Sequence, residues 1–373
     1  MKIALALLLC LLLIPNANGE TTMNTFIPTW DNVKPLGRTH QLEDSLWLCF
    51  SGTGAEFTVQ CTTLSVTMAA DTAVASPANR VRLAIEVNGQ RVVDDMLDAP
   101  EKTYTVWKSE APQAITVRII KLSETAMSTC GIRSITTDAA SIHPTPKKPH
   151  TIEFIGDSIT CGYGADDEVA EHSFTTATEN VTHSYAYKAA QTLDADYSMV
   201  SISGYGIISG YTGTGERKIT NQLLPTYYEK LGFSYASYQG QTPSNVSWDF
   251  SAYKPDLVVI NLGTNDDSYT GFNLERQEDY RAQYTEFLKV VRRNNPEATI
   301  LCALGIMGDR LYPQVKKAVE AYTQETGDTN IACLKFDVQS PADGYAADWH
   351  PSQKTHNKAA EKLVKRIQQL IGW

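Results

Sequence analysis

The chain has 373 residues, of which 42% are hydrophobic and 20% charged, and its 32 basic and 42 acidic side chains give a formal net charge of −10. This composition excludes an intrinsically disordered, collagenous or repetitive fibrous protein. The acidic balance also argues against a nucleic acid or an anionic membrane as the main partner, because neither would be attracted to this surface.

The first residues have the pattern of a signal peptide. Lys2 precedes an apolar run over residues 4–14, and small residues lie just before a predicted cut after Gly19. The run is shorter than the roughly 20 residues needed to cross a bilayer, so we expect no membrane insertion. We predict that residues 1–19 are removed and that the protein is secreted, either to a periplasm or outside the cell. The remainder, at roughly 150 residues per domain, suggests two domains.

The cysteines that follow this segment are too few for a disulfide scaffold, and they contain no Cys-x-x-Cys pair that would suggest zinc or redox chemistry. In an exported protein, Cys49–Cys61 and Cys302–Cys333 are the plausible disulfides. The interpretation that the sequence favours is buried free thiols.

Residues 20–142 have the pattern of strands separated by turns. Apolar side chains alternate over residues 81–87, and the strand pattern resumes at 91–93 after Asn88-Gly89, which predicts a hairpin. Further short strands are predicted at residues 57–59, 64–68, 104–107 and 115–120. Because no helical period competes with this alternation, we predict an all-β sandwich.

Residues 143–150 contain a proline-rich stretch that predicts a stiff connector between two domains. In residues 151–373, short apolar runs alternate with helical patterns. The predicted strands are at residues 152–155, 199–202, 257–262, 300–304 and 331–336. A helix is expected over residues 275–294, and a last helix begins near the N-cap Ser352. Buried strands separated by helices predict an α/β domain with a doubly wound parallel sheet.

One segment departs from this alternation, because residues 205–253 carry seven of the 18 tyrosines of the chain. One interpretation is a long surface excursion whose aromatic rings pack on the sheet. The other is a wall that stacks on sugar rings, with Tyr205 as a predicted substrate-binding residue. The sequence leaves both interpretations open.

Four polar loops are expected at one edge of the parallel sheet, where ligands bind beyond the carboxyl ends of the strands. They are residues 156–160 after the first strand, 203–206 after the second, 263–266 after the third and 348–351 before the last helix. We therefore expect the functional side chains to converge at this edge.

The residue types in these loops predict a serine hydrolase. Ser158 lies on a tight strand-to-helix turn as the candidate nucleophile, and His350 is the candidate base, with Asp348 as a possible partner that holds its tautomer. The oxyanion of the transition state requires preorganised donors, for which the backbone N–H groups of Ser158 and Gly206 and the side-chain amide of Asn265 are the candidates. Each motif is weak alone, whereas the four in this order are difficult to explain by chance.

These four blocks resemble the SGNH (GDSL-type) hydrolase superfamily, whose name records a Ser, a Gly, an Asn and a His. The matching residues here are Ser158, Gly206, Asn265 and His350, with Gly204 as the alternative glycine. The resemblance implies a flavodoxin-like catalytic domain over residues 151–373 that needs no metal or cofactor.

The resemblance extends to the N-terminal domain, and the chain as a whole is most similar to carbohydrate esterase family 2. The segments that carry this similarity are residues 36–39, 46–48, 51–57 and 154–164. It implies an all-β jelly-roll sandwich before the hydrolase domain, and removal of acetyl groups from xylan, mannan or related sugars, often at the 6-position. The expected partner is an acetylated carbohydrate substrate, and we expect a monomer.

One departure from the superfamily concerns the residues before the base. Many members place two residues between the Asp and the His, whereas only Trp349 separates Asp348 from His350. The base is therefore oriented either by the Asp348 carboxylate or by a backbone carbonyl. Trp349 is predicted to be a wall of the acyl or sugar pocket, with simple core packing as the alternative.

Two other functions remain open at this point. A carbohydrate-binding protein with a secondary esterase site would bind sugars without depending on Ser158. A short-chain lipase or lysophospholipase of the same superfamily would increase in activity with acyl chain length.

Overall fold

The computed structural model describes residues 22–373. The predicted signal peptide at residues 1–19 lies outside the described residues. Within the described part of the chain, no helix is both long enough and apolar enough to span a bilayer.

The N-terminal part forms one antiparallel network of ten strands around an apolar core. The strands are β1 Asn24–Phe26, β2 Lys34–Leu36, β3 Thr39–Gln41, β4 Leu46–Leu48, β5 Gly54–Ala70, β6 Arg82–Val87, β7 Gln90–Met96, β8 Glu101–Lys121, β9 Cys130–Thr137 and β10 His143–Pro144. Their order is β3-β4-β9-β5-β8-β6-β7, with β1 paired to β9 and both β2 and β10 paired to β5. The predicted all-β domain is confirmed.

The strand lengths in this domain differ from the sequence-based prediction. The predicted strands 57–59 and 64–68 are parts of the single strand β5, and 104–107 and 115–120 are parts of β8. Residues 109–112 of β8 have no partner in β5, and the register shifts there. Such an irregularity bends a strand without ending it, which explains why the polar interruption resembled a turn in the sequence.

The predicted hairpin between β6 and β7 is present. Asn88 and Gly89 have φ angles of 52° and 78°, both in the left-handed region that a two-residue hairpin turn requires.

The connector between the two parts of the chain is shorter than predicted and is tied at both ends. His143 and Pro144 pair with β5, and His150 already begins the next strand. The Thr145 hydroxyl donates to Glu56 Oε1 at 2.6 Å, and the Lys148 N–H donates to Asp196 Oδ2 at 3.0 Å. Residues 145–149 therefore form a fixed crossing rather than a free spacer.

The C-terminal part contains a five-stranded parallel sheet in the order β12-β11-β13-β14-β15. The strands are β11 His150–Gly156, β12 Ala195–Ser201, β13 Leu257–Asn261, β14 Thr299–Ile306 and β15 Ile331–Val338, followed by the short antiparallel pair β16 Tyr345–Ala346 and β17 His350–Pro351. This is the 2-1-3-4-5 order of flavodoxin-like sheets. The predicted doubly wound α/β fold is confirmed.

Six α-helices accompany this sheet in the described residues. They are α1 Ser158–Cys161, α2 Tyr185–Thr192, α3 Thr264–Thr270, α4 Leu274–Asn294, α5 Tyr312–Thr326 and α6 Gln353–Ile371. Helix α2 packs against α6, and α4 packs against α5. The Ser352 hydroxyl caps α6 by accepting the Thr355 N–H at 3.2 Å, as predicted. All six cysteines in the described residues are free.

The tyrosine-rich segment, residues 205–253, contains only short 3₁₀ turns and isolated bridges. The rings of Tyr205, Tyr228 and Tyr238 are buried, whereas Tyr211 and Tyr235 are 63% and 66% exposed. The segment therefore packs most of its aromatic surface on the protein and presents two rings to solvent.

Buried ion pairs join the two parts of the chain. Arg38 follows β2, and its guanidinium pairs with the Glu153 carboxylate of β11 at 3.0 Å. Both side chains are almost fully buried. Arg38 also donates to the carbonyls of Tyr228 and Lys230. One side chain thus fixes the β domain, the parallel sheet and the tyrosine-rich segment against one another.

Candidate active site

Ser158 is the first residue of α1, directly after β11. The Asp157 carboxylate caps this short helix by accepting the Ile159 N–H at 3.1 Å. A side chain at Gly156 would overlap with Thr160, so the tight turn requires glycine there. The Ser158 N–H has no acceptor among the described residues. The turn therefore presents both a hydroxyl and an unpaired backbone donor.

His350 lies in β17 and contacts Ser158 directly. Its Nε2 is 2.9 Å from Ser158 Oγ, and its Nδ1 is 3.2 Å from the backbone carbonyl oxygen of Asp348. Because a carbonyl only accepts, Nδ1 carries the hydrogen and Nε2 is left to accept the serine proton. Burial lowers the pKa of His350 to about 4, so the ring is neutral at pH 7.

The Asp348 carboxylate does not contact the His350 ring, which corrects the expectation that it orients the base. It accepts the Tyr163 hydroxyl at 2.8 Å and the Phe174 N–H at 2.9 Å. Asp348 and Trp349 have φ angles of 50° and 61°, and these two successive left-handed residues turn the Asp348 carbonyl toward the ring. Of the two alternatives that the sequence left open, the backbone carbonyl is the one the structure shows.

Tyr163 and Phe174 are residues that sequence reasoning missed. The Tyr163 ring stacks on His350 with 3.9 Å between ring centroids, and Phe174 stacks on Tyr163 at 4.1 Å. The stack shields one face of the imidazole from water. Tyr163 lies between Gly162 and Gly164, both with positive φ, and this pair of glycines was the available signal for a specialised turn.

The loop that carries Phe174 is joined to the histidine loop by backbone hydrogen bonds. The N–H groups of Ala347, Asp348 and Trp349 donate to the carbonyls of Asp167, His172 and Ala170, respectively. These hydrogen bonds hold Asp348 and Trp349, the two left-handed residues before His350, in position.

The hydrogen bonds of the loop distinguish the two candidate oxyanion glycines, Gly206 and Gly204. The Gly206 N–H donates to the Gln222 carbonyl at 3.2 Å and is therefore occupied, whereas the Gly204 N–H has no acceptor in residues 22–373. Gly204 has a φ of 80°, which favours glycine. The hydrogen bonds therefore favour the alternative candidate, Gly204, over the preferred candidate, Gly206.

Asn265 lies in the first turn of α3 with its side chain buried. Its Nδ2 donates to the Tyr205 carbonyl at 2.9 Å and is 3.4 Å from Asp157 Oδ2. The first contact fixes the amide, while the second is long for a hydrogen bond. The second N–H therefore has only this weak contact with the Asp157 carboxylate.

Asp266 follows Asn265 and was also missed in the sequence. Its carboxylate accepts the N–H groups of Ile207, Ile208 and Ser209 at 2.7–3.0 Å. Burial raises the pKa of Asp266 to about 6. This carboxylate anchors the distal half of the loop that begins at Ser203.

The two predicted substrate-binding aromatics have different environments. The Tyr205 ring is 2% exposed and packs on Tyr227 and Phe233, so it offers no face to a sugar, and its expected stacking role is wrong. Trp349 is 54% exposed, and its carbonyl accepts Gln339 Nε2 at 2.9 Å. Trp349 is therefore not a core residue, and it remains a candidate wall of the site.

The first residue of the acidic run at residues 166–168 forms ion pairs and hydrogen bonds with other side chains. Asp166 contacts Arg82, His183 and Asn180. Within the described residues, no group of three or more His, Cys, Asp or Glu side chains has an arrangement that could hold a metal ion.

Comparisons with known families match both parts of the chain. Residues 154–358 match the GDSL-like Lipase/Acylhydrolase family, and residues 36–146 match the Carbohydrate esterase 2 N-terminal family.

Among characterised relatives, the chain is 27% identical to an acetylxylan esterase / glucomannan deacetylase of Cellvibrio japonicus, over 95% of this chain and 93% of that protein. It is 38% identical over 226 residues to the cellulase/esterase CelE of Acetivibrio thermocellus. That match covers 60% of this chain but only 26% of CelE, so the chain corresponds to about a quarter of that protein.

Two solved structures show the same architecture. An acetyl xylan esterase from the rumen bacterium Butyrivibrio proteoclasticus superposes with a TM-score of 0.83 at 23% identity, covering 94% of this chain and 99% of that one. A family two carbohydrate esterase from Clostridium thermocellum, in complex with cellohexaose, gives 0.78 at 28% identity, covering 91% and 99%.

Proposed function

Because the chain belongs to the GDSL-like lipase/acylhydrolase family and begins with a carbohydrate esterase 2 N-terminal domain, we propose that it is a serine esterase that removes O-acetyl groups from polysaccharides or their oligosaccharides. The observation that carries this proposal is the 2.9 Å contact between Ser158 Oγ and His350 Nε2. The backbone N–H groups of Ser158 and Gly204, which have no acceptor in residues 22–373, and the buried Asn265 amide lie in loops at the same edge of the sheet.

The reaction begins with attack by Ser158 on the acetyl carbonyl carbon. His350 Nε2 takes the hydroxyl proton as the new C–O bond forms, and the carbonyl oxygen becomes an oxyanion. When the tetrahedral intermediate collapses, the bond to the sugar oxygen breaks and that oxygen receives the proton from His350. Water then attacks the acetyl-serine ester by the same route, releases acetate and restores Ser158.

Three donors are positioned for the oxyanion in this proposal. They are the backbone N–H groups of Ser158 and Gly204 and the second N–H of Asn265 Nδ2. Removal of one such donor typically lowers kcat by about 100-fold to 1000-fold. The Asp348 carbonyl stabilises the imidazolium that forms in each step, because it accepts the Nδ1–H.

The comparisons support an acetylated plant-type polysaccharide as the substrate. The Cellvibrio japonicus relative named for xylan and glucomannan matches across nearly its whole length. The structural neighbour from Clostridium thermocellum holds cellohexaose, a β-glucan oligosaccharide. Trp349, which precedes His350 in the chain, is exposed and offers an apolar ring of the kind that stacks on such sugars.

Acetate release from chemically defined, acetylated xylan and glucomannan oligosaccharides tests this function. Wild-type protein is expected to release acetate, and Ser158→Ala to release none above background. Ser251→Ala, which changes an exposed serine outside the loops of the site, serves as the matched control and is expected to retain full activity. Equal activity of wild type and Ser158→Ala would contradict the proposal.

The alternative functions predict different outcomes in two further assays. A lipase or lysophospholipase would hydrolyse 4-nitrophenyl esters faster as the acyl chain lengthens. A carbohydrate-binding protein with a secondary esterase site would bind glucan in affinity electrophoresis with unchanged strength and release little acetate.

We also propose that the protein is exported and monomeric. Export rests on the pattern of residues 1–19 alone, and peptide sequencing of the mature N-terminus tests it. A mature chain that begins after Gly19 is expected, and one that retains Met1 contradicts it. Light scattering tests the oligomeric state.

A further inference from the structure

The N-terminal domain contacts the catalytic edge through the loop between β8 and β9. In this loop, the Thr125 hydroxyl donates to the Phe233 carbonyl at 2.8 Å, and the Ala126 carbonyl accepts the Tyr235 N–H at 2.9 Å. The loop therefore lies against the tyrosine-rich segment that follows Gly204.

Glu124 lies in the same loop, and its side chain reaches the segment that contains Gly204. Its side chain is fully buried, and its Oε2 accepts the backbone N–H of Ser203 at 2.9 Å. Ser203 immediately precedes Gly204, whose N–H is the unpaired donor of the site. A carboxylate of the β domain thus binds the peptide group next to the oxyanion donor.

The position of Glu124 is itself held by buried groups. Its own N–H donates to Glu179 Oε2 at 2.7 Å. The Lys121 ammonium donates to the carbonyls of Ser123 and Glu124 at 2.6 and 2.8 Å, and Lys121 and Glu179 are also fully buried. A buried carboxylate with so few alternative partners keeps one position.

Two carboxylates therefore hold the two halves of the loop over residues 203–209. Glu124 binds its first N–H group, while Asp266 of the parallel-sheet domain binds the N–H groups of residues 207–209. The orientation of the Gly204 N–H depends on the backbone torsions of Ser203. Fixing the Ser203 N–H restricts those torsions, and oxyanion donors act only when their direction is fixed before the reaction.

We propose that Glu124 is a positioning residue for the oxyanion donor at Gly204, so that the β domain completes the esterase site. This inference rests on the proposed serine esterase function. It implies that acylation of Ser158 depends on a carboxylate that touches neither the substrate nor the reacting atoms.

The test compares three variants of the full chain by pre-steady-state hydrolysis of 4-nitrophenyl acetate. The rate of the initial burst reports acylation, and circular dichroism reports folding. Glu124→Met removes the acceptor and is expected to slow acylation by about 10-fold to 100-fold with the circular dichroism spectrum retained. Glu124→Gln keeps an oxygen that accepts the Ser203 N–H, and is expected to remain within about threefold of wild type.

Thr125→Val is the matched control, because it removes the hydrogen bond to Phe233 from the same buried loop without touching the 203–209 loop. It is expected to lower Tm and to leave the acylation rate unchanged. If Glu124→Met does not fold, Glu124→Asp withdraws the carboxylate by one methylene and carries the same expectation.

Acylation by Glu124→Met within about twofold of wild type would overturn the inference, as would an equal slowing in Thr125→Val. Failure of the wild-type protein to hydrolyse 4-nitrophenyl acetate is a different result, because it would contradict the proposed function itself.

Discussion

The Nδ1 atom of His350 lies 3.2 Å from the backbone carbonyl oxygen of Asp348, while the carboxylate of that same aspartate binds the Tyr163 hydroxyl. One residue thus serves the base through its main chain and the stacked aromatic pair through its side chain. The single-residue spacing to His350 is what makes this possible, because two left-handed residues bring the carbonyl back to the ring.

Replacing the Asp348 carboxylate is expected to have a modest effect on catalysis. Asp348→Asn keeps the backbone carbonyl, tolerates a positive φ and can still accept from Tyr163 and Phe174. We expect kcat for 4-nitrophenyl acetate to fall by no more than about tenfold. A loss of about 10⁴-fold, typical when a triad carboxylate is neutralised, would show that the carboxylate orients the base.

The pH dependence of kcat/KM is expected to reflect the low pKa of His350. The base acts when it is neutral, and burial lowers its pKa to about 4, so activity should persist as the pH falls through 6 and be lost only near pH 4. An acid limb centred near the ordinary value of about 6.5 would contradict this.

Tyr163 variants give a matched pair for that experiment. Tyr163→Phe retains the stacked ring and should leave the acid limb in place. Tyr163→Ala exposes one face of the imidazole to water, which reduces the desolvation that lowers the pKa, so the limb should move to higher pH.

Alanine substitutions at the two glycines of the oxyanion loop are expected to affect different properties, namely activity at Gly204 and stability at Gly206. A Cβ at Gly204 meets no atom within 4 Å, but its φ of 80° makes alanine costly by about 1–2 kcal/mol, so the backbone donor should shift and kcat fall. A Cβ at Gly206 would overlap with the Ser209 carbonyl and the Asp266 carboxylate, so this variant should mainly lose Tm. The reverse pattern in kinetics and thermal unfolding would restore Gly206 as the donor.

Trp349 is expected to affect sugar binding more than bond cleavage. Trp349→Ala should raise KM for acetylated glucomannan oligosaccharides and change kcat/KM for 4-nitrophenyl acetate much less. Trp30→Ala removes another exposed tryptophan, 44% exposed and in the N-terminal domain, and should change neither constant. A loss of equal size on both substrates would indicate that Trp349 acts by shaping the histidine loop.

Local patterns predicted the elements whose formation depends on neighbouring residues. The Asn88-Gly89 hairpin, helix α4 and the Ser352 cap follow from backbone preferences and periodicity. The parallel sheet followed from its buried strands, and Ser158 and His350 from their positions at the ends of elements. The structure brings these two side chains together at the expected edge.

The remaining features depend on contacts between distant parts of the chain. Gly206 and Gly204 are equivalent candidates in the sequence, and contacts with distant residues distinguish them, such as the hydrogen bond from the Gly206 N–H to Gln222. In the sequence, Tyr205 has the pattern of a surface aromatic residue, whereas in the structure Tyr227 and Phe233 pack against its ring. Glu124 and Ser203 are separated by 79 residues and lie in different parts of the fold, so no local pattern pairs them.

A covalent acetyl group on Ser158 during turnover is the defining feature of the proposed serine esterase. Wild-type protein mixed rapidly with 4-nitrophenyl acetate and quenched in acid should carry one acetyl group on the peptide that contains Ser158, at a level that matches the burst of nitrophenolate. Ser158→Ala is expected to show neither the burst nor the modified peptide. An acetyl group on a different side chain, or a full burst from Ser158→Ala, would contradict it.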